Sequence, residues 1–315
     1  MTVPVPPLAR SALDRDAEAR TAPDLFAELD ADPATRVLPI WRGRALMAER
    51  VDGSPLELAL LTVAEAPAGE PRIYLGRTLP GDDDGDAGGT AVRVVAHVLD
   101  DDAARALQPE EGRWGGLRAV VTGLGDRDAG LFTEAVALAN WHDSHRFCPA
   151  CGAPAAVEQG GWVRRCTAEE RQIFPRTDPA VIVLVTDGDD RVLLGSNAMW
   201  EQHRFSVLAG FVEPGESLEA AVVREIAEEA GLEVSEVRYL GSQPWPFPAS
   251  LMVGFAAAVA DPDAVRPDGE EIVELRWYTR EALAAAAGEI ALPGASSIAR
   301  WMLEEWYGGE IDGHA

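Results

Sequence analysis

Basic side chains are scarce in this chain. Lysine and arginine together number 27 against 53 aspartates and glutamates, for a net charge of −26 at neutral pH. A smooth cationic footprint for nucleic acid is therefore not expected, because phosphate contacts supply most of such affinity, although a local basic patch stays compatible with the total. The acidic surface reads as solubility and self-repulsion. Long apolar runs are missing as well. Nothing approaches the roughly 18 apolar residues of a membrane span, and the opening MTVPVPPLARSALDRDAE has no apolar core followed by a cleavage site. A cytoplasmic protein is the expectation. No internal repeat is found. Cysteine is nearly absent: Cys148, Cys151 and Cys166 are the only three, and they share one short stretch. Disulfides are rare in a reducing cytosol, so this clustering points to a metal.

What is present is enough for sizeable cores, since 47% of the residues are hydrophobic, an ordinary share for a globular protein. The length of 315 residues allows one large domain or two to three smaller ones. Residues 1–143 read as a β-rich domain. RVLPIWRGRALM and LELALLTVAE have apolar stretches of strand length, and RIYLGRTL alternates. The tract PGDDDGDAGGT at 80–90 reads as a mobile loop; it lacks the twelve-residue pattern ending in glutamate that would bind calcium. DAGLFTEAVALANWHDSH reads as an amphipathic helix running into Cys148. In 144–176 the glycines and short strands of CPACGAPAAVEQGGWVRRC suggest a metal knuckle. In 177–315, AVIVLV reads as a buried strand, TDGDD as an Asp-Gly turn and RVLLGS as a returning strand. Further strands are expected around RYLGSQ, LMVGFAAAVA and EIVELRWYT, then helices in REALAAAAG and SSIARWMLEEW.

Between those strands lies a helix that carries chemistry. Ser217 is placed to cap it and Gly231 to stop it. Leu218, Val222, Ile226 and Ala230 recur every four residues as a core stripe. Glu225, Glu228 and Glu229 fall within an arc of roughly 100° beside that stripe. Three carboxylates so close repel one another, which leaves two readings: a solvated acidic face, or ligands for a hard divalent cation such as Mg²⁺ or Mn²⁺. The neighbours favour the second. Gly210, Glu216, Arg224, Glu225, Ile226, Glu228, Glu229, Gly231 and Leu232 fit G-x5-E-x7-R-E-U-x-E-E-x-G-U, U being apolar, without a departure. This pattern resembles the Nudix box. The resemblance implies an α+β fold, a Nudix α/β/α sandwich, and hydrolysis of a nucleoside diphosphate linked to another group. It implies that Glu225, Glu228 and Glu229 bind divalent ions and that Arg224 orients them by pairing with Glu216. A general base is needed beside the attacking water. Glu229 is the first choice and Glu228 the second.

The segment SQPWPFPAS, residues 242–250, follows the box. Its three prolines rule out an ordinary helix or a central strand. It resembles the S-Q-P-W-P-F-P-x-S motif of the NADH pyrophosphatase family of Nudix hydrolases. On that reading it is a rigid loop walling one nucleotide of NAD(H), with Trp245 and Phe247 as flat surfaces, Gln243 offering its amide and Ser250 its hydroxyl. The plainer alternative is a cis-proline turn packed on the core. Other parts of the chain resemble the same family. Arg118 in WGGLR matches a substrate-touching arginine. Phe174 and Phe211 match stacking positions, and Ala299 a backbone substrate contact. Ala209 falls at a backbone metal-ligand position, and Glu271 at a distal metal-binding glutamate, with Glu270 one register away. Cys148, Cys151 and Cys166 have zinc-ribbon spacing. The family's second C-x2-C pair here reads CTAE, placing Glu169 fourth. A Cys3Glu site would bind zinc more weakly than four thiolates. His142 and His145 stand nearby as substitutes, and a ribbon that folds without metal is the alternative. The resemblance further implies a homodimer in which Phe174 completes the partner's site. The expected activity is that of an NAD⁺/NADH diphosphatase giving NMN(H) and AMP. The alternatives are removal of NAD caps from RNA and a non-catalytic nucleotide sensor.

Overall fold

The computed structural model describes residues 5–50, 54–79, 91–286 and 288–311. The glycine-aspartate tract at 80–90 lies outside the described residues. The chain divides into two compact units. The first is Arg10–Arg176 with Pro246–Ala249, and the second is Met1–Ala9 with Thr177–Trp245 and Ser250–Ala315.

The first unit is built on strands β1 (Leu13–Asp14), β2 (Arg36–Trp41), β3 (Arg44–Leu46), β4 (Leu61–Thr62), β5 (Arg72–Thr78), β6 (Arg93–Val98) and β7 (Trp114–Gly116). They form one sheet in the order β1-β5-β6-β2-β3-β7, with β4 on β2. Helices α1 (Leu25–Ala31), α2 (Asp101–Leu107), α3 (Leu117–Val120) and α4 (Asp126–Ser144) accompany it. Three sequence readings change here. LELALLTVAE yields only the two-residue β4 and isolated bridges, Met47↔Leu58 and Leu56↔Leu124. One reason is that the amide of Leu58 donates to the buried Asp128 carboxylate (2.8 Å) in place of a neighbouring strand. RIYLGRTL does not alternate: Ile73, Tyr74 and Leu75 are all fully buried, with Tyr74 packed on Leu25 and Leu29 of α1. Helix α4 is not amphipathic, since its polar residues turn inward too. Arg127 Nε donates to Asp128 (2.9 Å), and Glu134 lies buried 3.3 Å from Arg15. Burial pushes the Glu134 carboxyl up to about 7. The ribbon completes this unit as a small antiparallel sheet, β8 (Ala155–Glu158), β9 (Val163–Cys166) and β10 (Gln172–Ile173), in the order β10-β9-β8.

The second unit holds β11 (Asp178–Thr186), β12 (Val192–Asn197), β13 (Leu208–Phe211), α5 (Leu218–Ala230), β14 (Val234–Trp245), β15 (Ser250–Val259), β16 (Ile272–Tyr278), α6 (Arg280–Ala286) and α7 (Ile298–Tyr307). The sheet runs β14-β15-β11-β12-β16, with β13 on β11. It is mixed, because β11 and β15 are parallel while the other pairs are antiparallel. Strand β11 shows why AVIVLV is apolar throughout. Val181, Val183 and Val185 pack with Val222, Ile226 and Ala230 of α5, while Ile182 and Leu184 pack with Ile298, Met302 and Leu303 of α7. Successive side chains thus serve opposite faces of a helix–sheet–helix sandwich.

One further reading is corrected here. The segment SQPWPFPAS is not wholly a loop. Strand β14 runs on through Trp245, with Pro244 opposite Leu251 and Trp245 opposite Ser250. Proline is tolerated because β14 is an edge strand, so its missing donor costs no ladder bond on the open side. The hairpin then turns through a cis Phe247–Pro248 bond.

Candidate active site

Helix α5 is set in place at both ends. The Ser217 hydroxyl accepts from the amide of Ala220 (3.1 Å), and Gly231 ends the helix at φ +66°. Val222, Ile226 and Ala230 are fully buried. With that stripe anchored, Glu225 and Glu229 are drawn under the surface (9% and 5% exposed), and Glu228 stays outside. Arg224 ties the group together. Its Nε and Nη2 donate to the two oxygens of Glu216 (2.9 and 2.8 Å), and Nη1 donates to Glu225 (2.9 Å) and Glu228 (3.0 Å). Nη2 also reaches the Phe211 carbonyl (3.0 Å). A fork of fixed donors against several carboxylates is a task suited to arginine. The box glycine has a steric role: a Cβ at Gly210 would fall 2.0 Å from the Glu225 carboxyl, so only glycine leaves that carboxylate room.

The carboxylates are not neutralised by arginine alone. Glu229 Oε2 is buried and accepts no hydrogen bond among the described residues. Burial above all, and then Glu225, Glu271, Asp268 and Glu228, push its carboxyl up to about 8. Burial likewise raises Glu225 in spite of Arg224. Hard oxygen donors with one orphaned atom fit a divalent ion. Two cavities meet at this point. The smaller, about 240 Å³, is lined by Trp200, Trp245, Ala299, Ala209, Glu229 and Glu271. The larger, about 430 Å³, is lined by Gly210, Phe211, Arg224, Glu225 and Ser250 together with Ala209, Glu229 and Glu271. Of the adjacent acids Glu270 and Glu271, it is Glu271 that reaches this place. Asp268 shapes that turn by accepting from the amides of Glu270, Glu271 and Ile272 (2.8–3.0 Å), and Asn197 Nδ2 donates to the Glu271 carboxylate (3.2 Å). Sequence reasoning missed Asn197, Asp268 and Trp200, none of which belongs to a motif.

The second unit therefore brings together Ala209, Phe211, Arg224, Glu225, Glu229, Trp245, Ser250, Glu271 and Ala299, with Glu228 on the rim. Gln243 is corrected. It is completely buried, its oxygen accepts from the amide of Leu8 (3.1 Å) and its nitrogen donates to the Ser296 carbonyl (3.2 Å). Its amide is spent inside the fold, because a buried amide must be satisfied. Arg118, Phe174 and Phe247 belong to the first unit. There the Arg118 guanidinium lies 4.8 Å from the Phe247 ring centre, and Phe174 is 60% exposed. Asn140 donates to the Pro246 carbonyl (2.8 Å) in the same unit.

The ribbon brings its four candidates to one point: ligand atoms of Cys148, Cys151, Cys166 and Glu169 all lie within 4.8 Å of one another. The sulfurs of Cys151 and Cys166 are 3.4 Å apart, and the Glu169 amide points at Cys166 Sγ (3.3 Å). Backbone amides of Ala150 and Cys151 hold the Cys148 thiol below its usual range, favouring the thiolate. Three thiolates and an oxygen fit a structural zinc. The histidines do not join. His142 is buried, hydrogen-bonded to the Gly161 carbonyl (2.8 Å) and to Arg164 Nε (3.0 Å), and burial pushes it down to about 4. His145 bonds Ser144 Oγ (2.9 Å) and lies outside the cluster.

Two predictions come from these sites. Because Glu229 has its pKa raised on folding, the stability from its proton is full below the ordinary value of 4.5 and is lost as pH climbs from there through about 8. Chelator-treated protein should thus lose stability across that window, by an amount on the order of 4–5 kcal/mol. Glu229→Gln should remove most of the loss, and Mg²⁺ should raise the Tm of the parent at pH 8–9 but not that of the variant. Thermal scans with and without metal check this; a parent Tm flat between pH 5 and 9 contradicts it. For the ribbon, elemental analysis should find about one zinc per chain. Glu169→Cys should slow zinc loss to a chelator by supplying a fourth thiolate, and equal release rates would show that position 169 is no ligand.

Comparison with known proteins agrees along the chain. Residues 34–141 match the NADH pyrophosphatase-like rudimentary NUDIX domain, 143–174 the NADH pyrophosphatase zinc ribbon domain and 176–301 the NUDIX domain. The chain is 42% identical over 315 residues to the NAD-capped RNA hydrolase NudC of Mycobacterium bovis and to that of Mycobacterium tuberculosis, covering 96% of this chain and 95% of the relative. It is 36% identical over 197 residues to the human NAD-capped RNA hydrolase NUDT12, covering 58% of this chain and 42% of that protein. The chain belongs to the Nudix hydrolases, as a NADH pyrophosphatase-type member homologous to NudC.

Proposed function

We propose that this protein hydrolyses the diphosphate bond of NAD(H), releasing NMN(H) and AMP, and that it cuts the same bond where NAD caps the 5′ end of an RNA. The observation that carries the reading is the buried, under-satisfied Glu229 at the junction of two cavities, beside Glu225 and Glu271. Glu225, Glu228, Glu229, Glu271 and the Ala209 carbonyl are the groups that would hold Mg²⁺ or Mn²⁺. Bound ions of this kind neutralise diphosphate oxygens and acidify a water. The chain's own residues do the rest. Glu229 takes the proton from the attacking water, with Glu228 as the second choice. Arg224 keeps the carboxylates in register. Trp245, Phe211, Ser250 and the Ala299 backbone engage the nucleotides, and Arg118, Phe174 and Phe247 belong to the same reading. It also includes a homodimer in which Phe174 completes the partner's site, a cytoplasmic protein, and domain divisions at 1–143, 144–176 and 177–315. No helix among the described residues is long and apolar enough to cross a membrane.

The RNA substrate is favoured by the names of the NudC relatives. The net charge of −26 limits how it is held. An RNA body finds few cations to replace its counterions, so recognition rests on the cap. AMP release from NADH, NAD, ADP-ribose and diadenosine diphosphate tests the reading, alongside cleavage of NAD-capped RNAs of increasing length at one salt concentration. NADH should be cut only with Mg²⁺ or Mn²⁺ present. Lengthening the RNA should leave kcat/KM little changed. Glu228→Gln and Glu229→Gln should each lower kcat by several orders of magnitude with the fold retained. Near-normal turnover in both variants would sink the mechanism, and no AMP from any substrate would leave a nucleotide-binding module.

A further inference from the structure

The second unit contains five tryptophans, and they divide by what they touch. Trp277 packs against the core on the α5 side of the sheet, and Trp301 and Trp306 against the core on the α7 side. Trp200 and Trp245 join neither core. Both instead line the 240 Å³ cavity next to Glu229 and Glu271. Trp245 belongs to the hairpin motif already assigned to nucleotide contact. Trp200 belongs to no motif, and among the described residues it is part of neither core cluster.

Trp200 sits in the short connection after β12, at 39% exposure, next to Met199 at 90%. An indole kept half in solvent on a cavity wall is an available flat surface, not a filled core position. The connection is held by definite bonds. The amide of Ala198 donates to the Glu271 carbonyl (2.8 Å). The amide of Met199 donates to Asn197 Oδ1 (2.9 Å) and that of Trp200 to the Asn197 carbonyl (3.0 Å). The Arg204 guanidinium lies 5.6 Å from the indole centre and steadies the ring. Asn197 also bonds the Glu271 carboxylate (3.2 Å), so the indole and a candidate metal ligand hang from one residue. The cavity is smaller than the roughly 300–1,000 Å³ of a site for a whole drug-sized ligand, so it takes one end of a dinucleotide and not both.

We propose that Trp200 is a second base-stacking wall of the nucleotide site and a determinant of which dinucleotide is cut. This rests on the proposed diphosphatase reading and deepens it. Trp245 supplies one aromatic surface of the cavity and Trp200 another, so the base is held at the same site whose carboxylates hold the diphosphate. Stacking acts on the nucleotide and not on the phosphates, so its loss weakens substrate capture more than the chemical step.

The test uses the full-length protein with Trp200→Ala and Trp200→Phe, measuring kcat and KM for NADH and for a small diphosphate ester without a base. Loss of one base stack corresponds to about tenfold or more in affinity. Trp200→Ala should therefore raise KM for NADH about tenfold or more with kcat nearly kept, and should lose far less on the base-free ester. Trp200→Phe should recover most of the KM. Calorimetric binding of AMP and of NMN in the presence of Mg²⁺ gives a second readout, and at least one should weaken in Trp200→Ala. An unchanged KM with unchanged AMP and NMN binding would overturn the proposal. So would equal losses on both substrates, which would make Trp200 a support of the whole site. A parent enzyme that cuts no dinucleotide would refute the diphosphatase reading instead, and the binding arm would then decide the question of Trp200 by itself.

Discussion

Two glutamates are held on one face of α5 where their charge is costly, and much of the second unit exists to keep them there. Burial alone would drive Glu225 and Glu229 to take up protons or turn out to solvent. They do not turn out, because the stripe of Val222, Ile226 and Ala230 locks the rotation of the helix against β11, and Glu229 instead holds its proton up to about pH 8. Gly210 on β13 withholds a Cβ so that the Glu225 carboxylate can come close. Arg224 answers part of the charge through Glu216, Glu225 and Glu228, and among the described residues Glu229 Oε2 is left without a hydrogen bond. The remainder is an unmet demand for positive charge at one spot. Stability is given up locally at a place suited to a cation, a common relation between strain and function.

The box helix was legible because every one of its requirements is local. Its cap, stop, stripe and acids are set by spacing within a single helix, and the structure places them accordingly. The ribbon was legible in part for the same reason, since its knuckle puts Cys148 and Cys151 side by side and Cys166 follows at ribbon spacing, while Glu169 was found only through the resemblance to the family's second Cys pair. Where the reading failed, the deciding partner was far away in sequence. Helix α4 looked amphipathic, yet Asp128 is inside because it serves Leu58, seventy residues earlier. The end of β14 looked like a loop, yet β15 pairs with it and its edge position forgives the proline. Gln243 looked like a ligand contact, and its partners Leu8 and Ser296 gave no sign of themselves in the motif.

The two candidate metal sites pose different physical problems. The ribbon gathers soft donors within a few residues of chain, and the strands β8, β9 and β10 offer little apolar core of their own, so a bound ion would add directly to local stability. The carboxylate site sits on a sandwich with a packed apolar core on each face of its sheet. Its acids make the fold worse until a cation arrives. The ordinary fourth thiolate of a ribbon is absent here, and Glu169, exposed and 3.5 Å from Arg171, stands at the fourth position beside the three thiols. That arginine competes for the same carboxylate that the ion would use.

The bond between Leu8 and Gln243 spans 235 positions of chain. A ribosome makes the chain from its N-terminus, at roughly 5–20 residues per second. The segment around Leu8 therefore emerges early and waits while residues 10–176, a compact unit with its own cores, are completed. Only after β14 has been synthesised does the buried amide that holds Leu8 exist. The second unit draws on segments before and after residues 10–176, so its assembly requires a search of distant segments for one another. Fusion partners or tags at the N-terminus would act on that search during synthesis, long before any substrate is met.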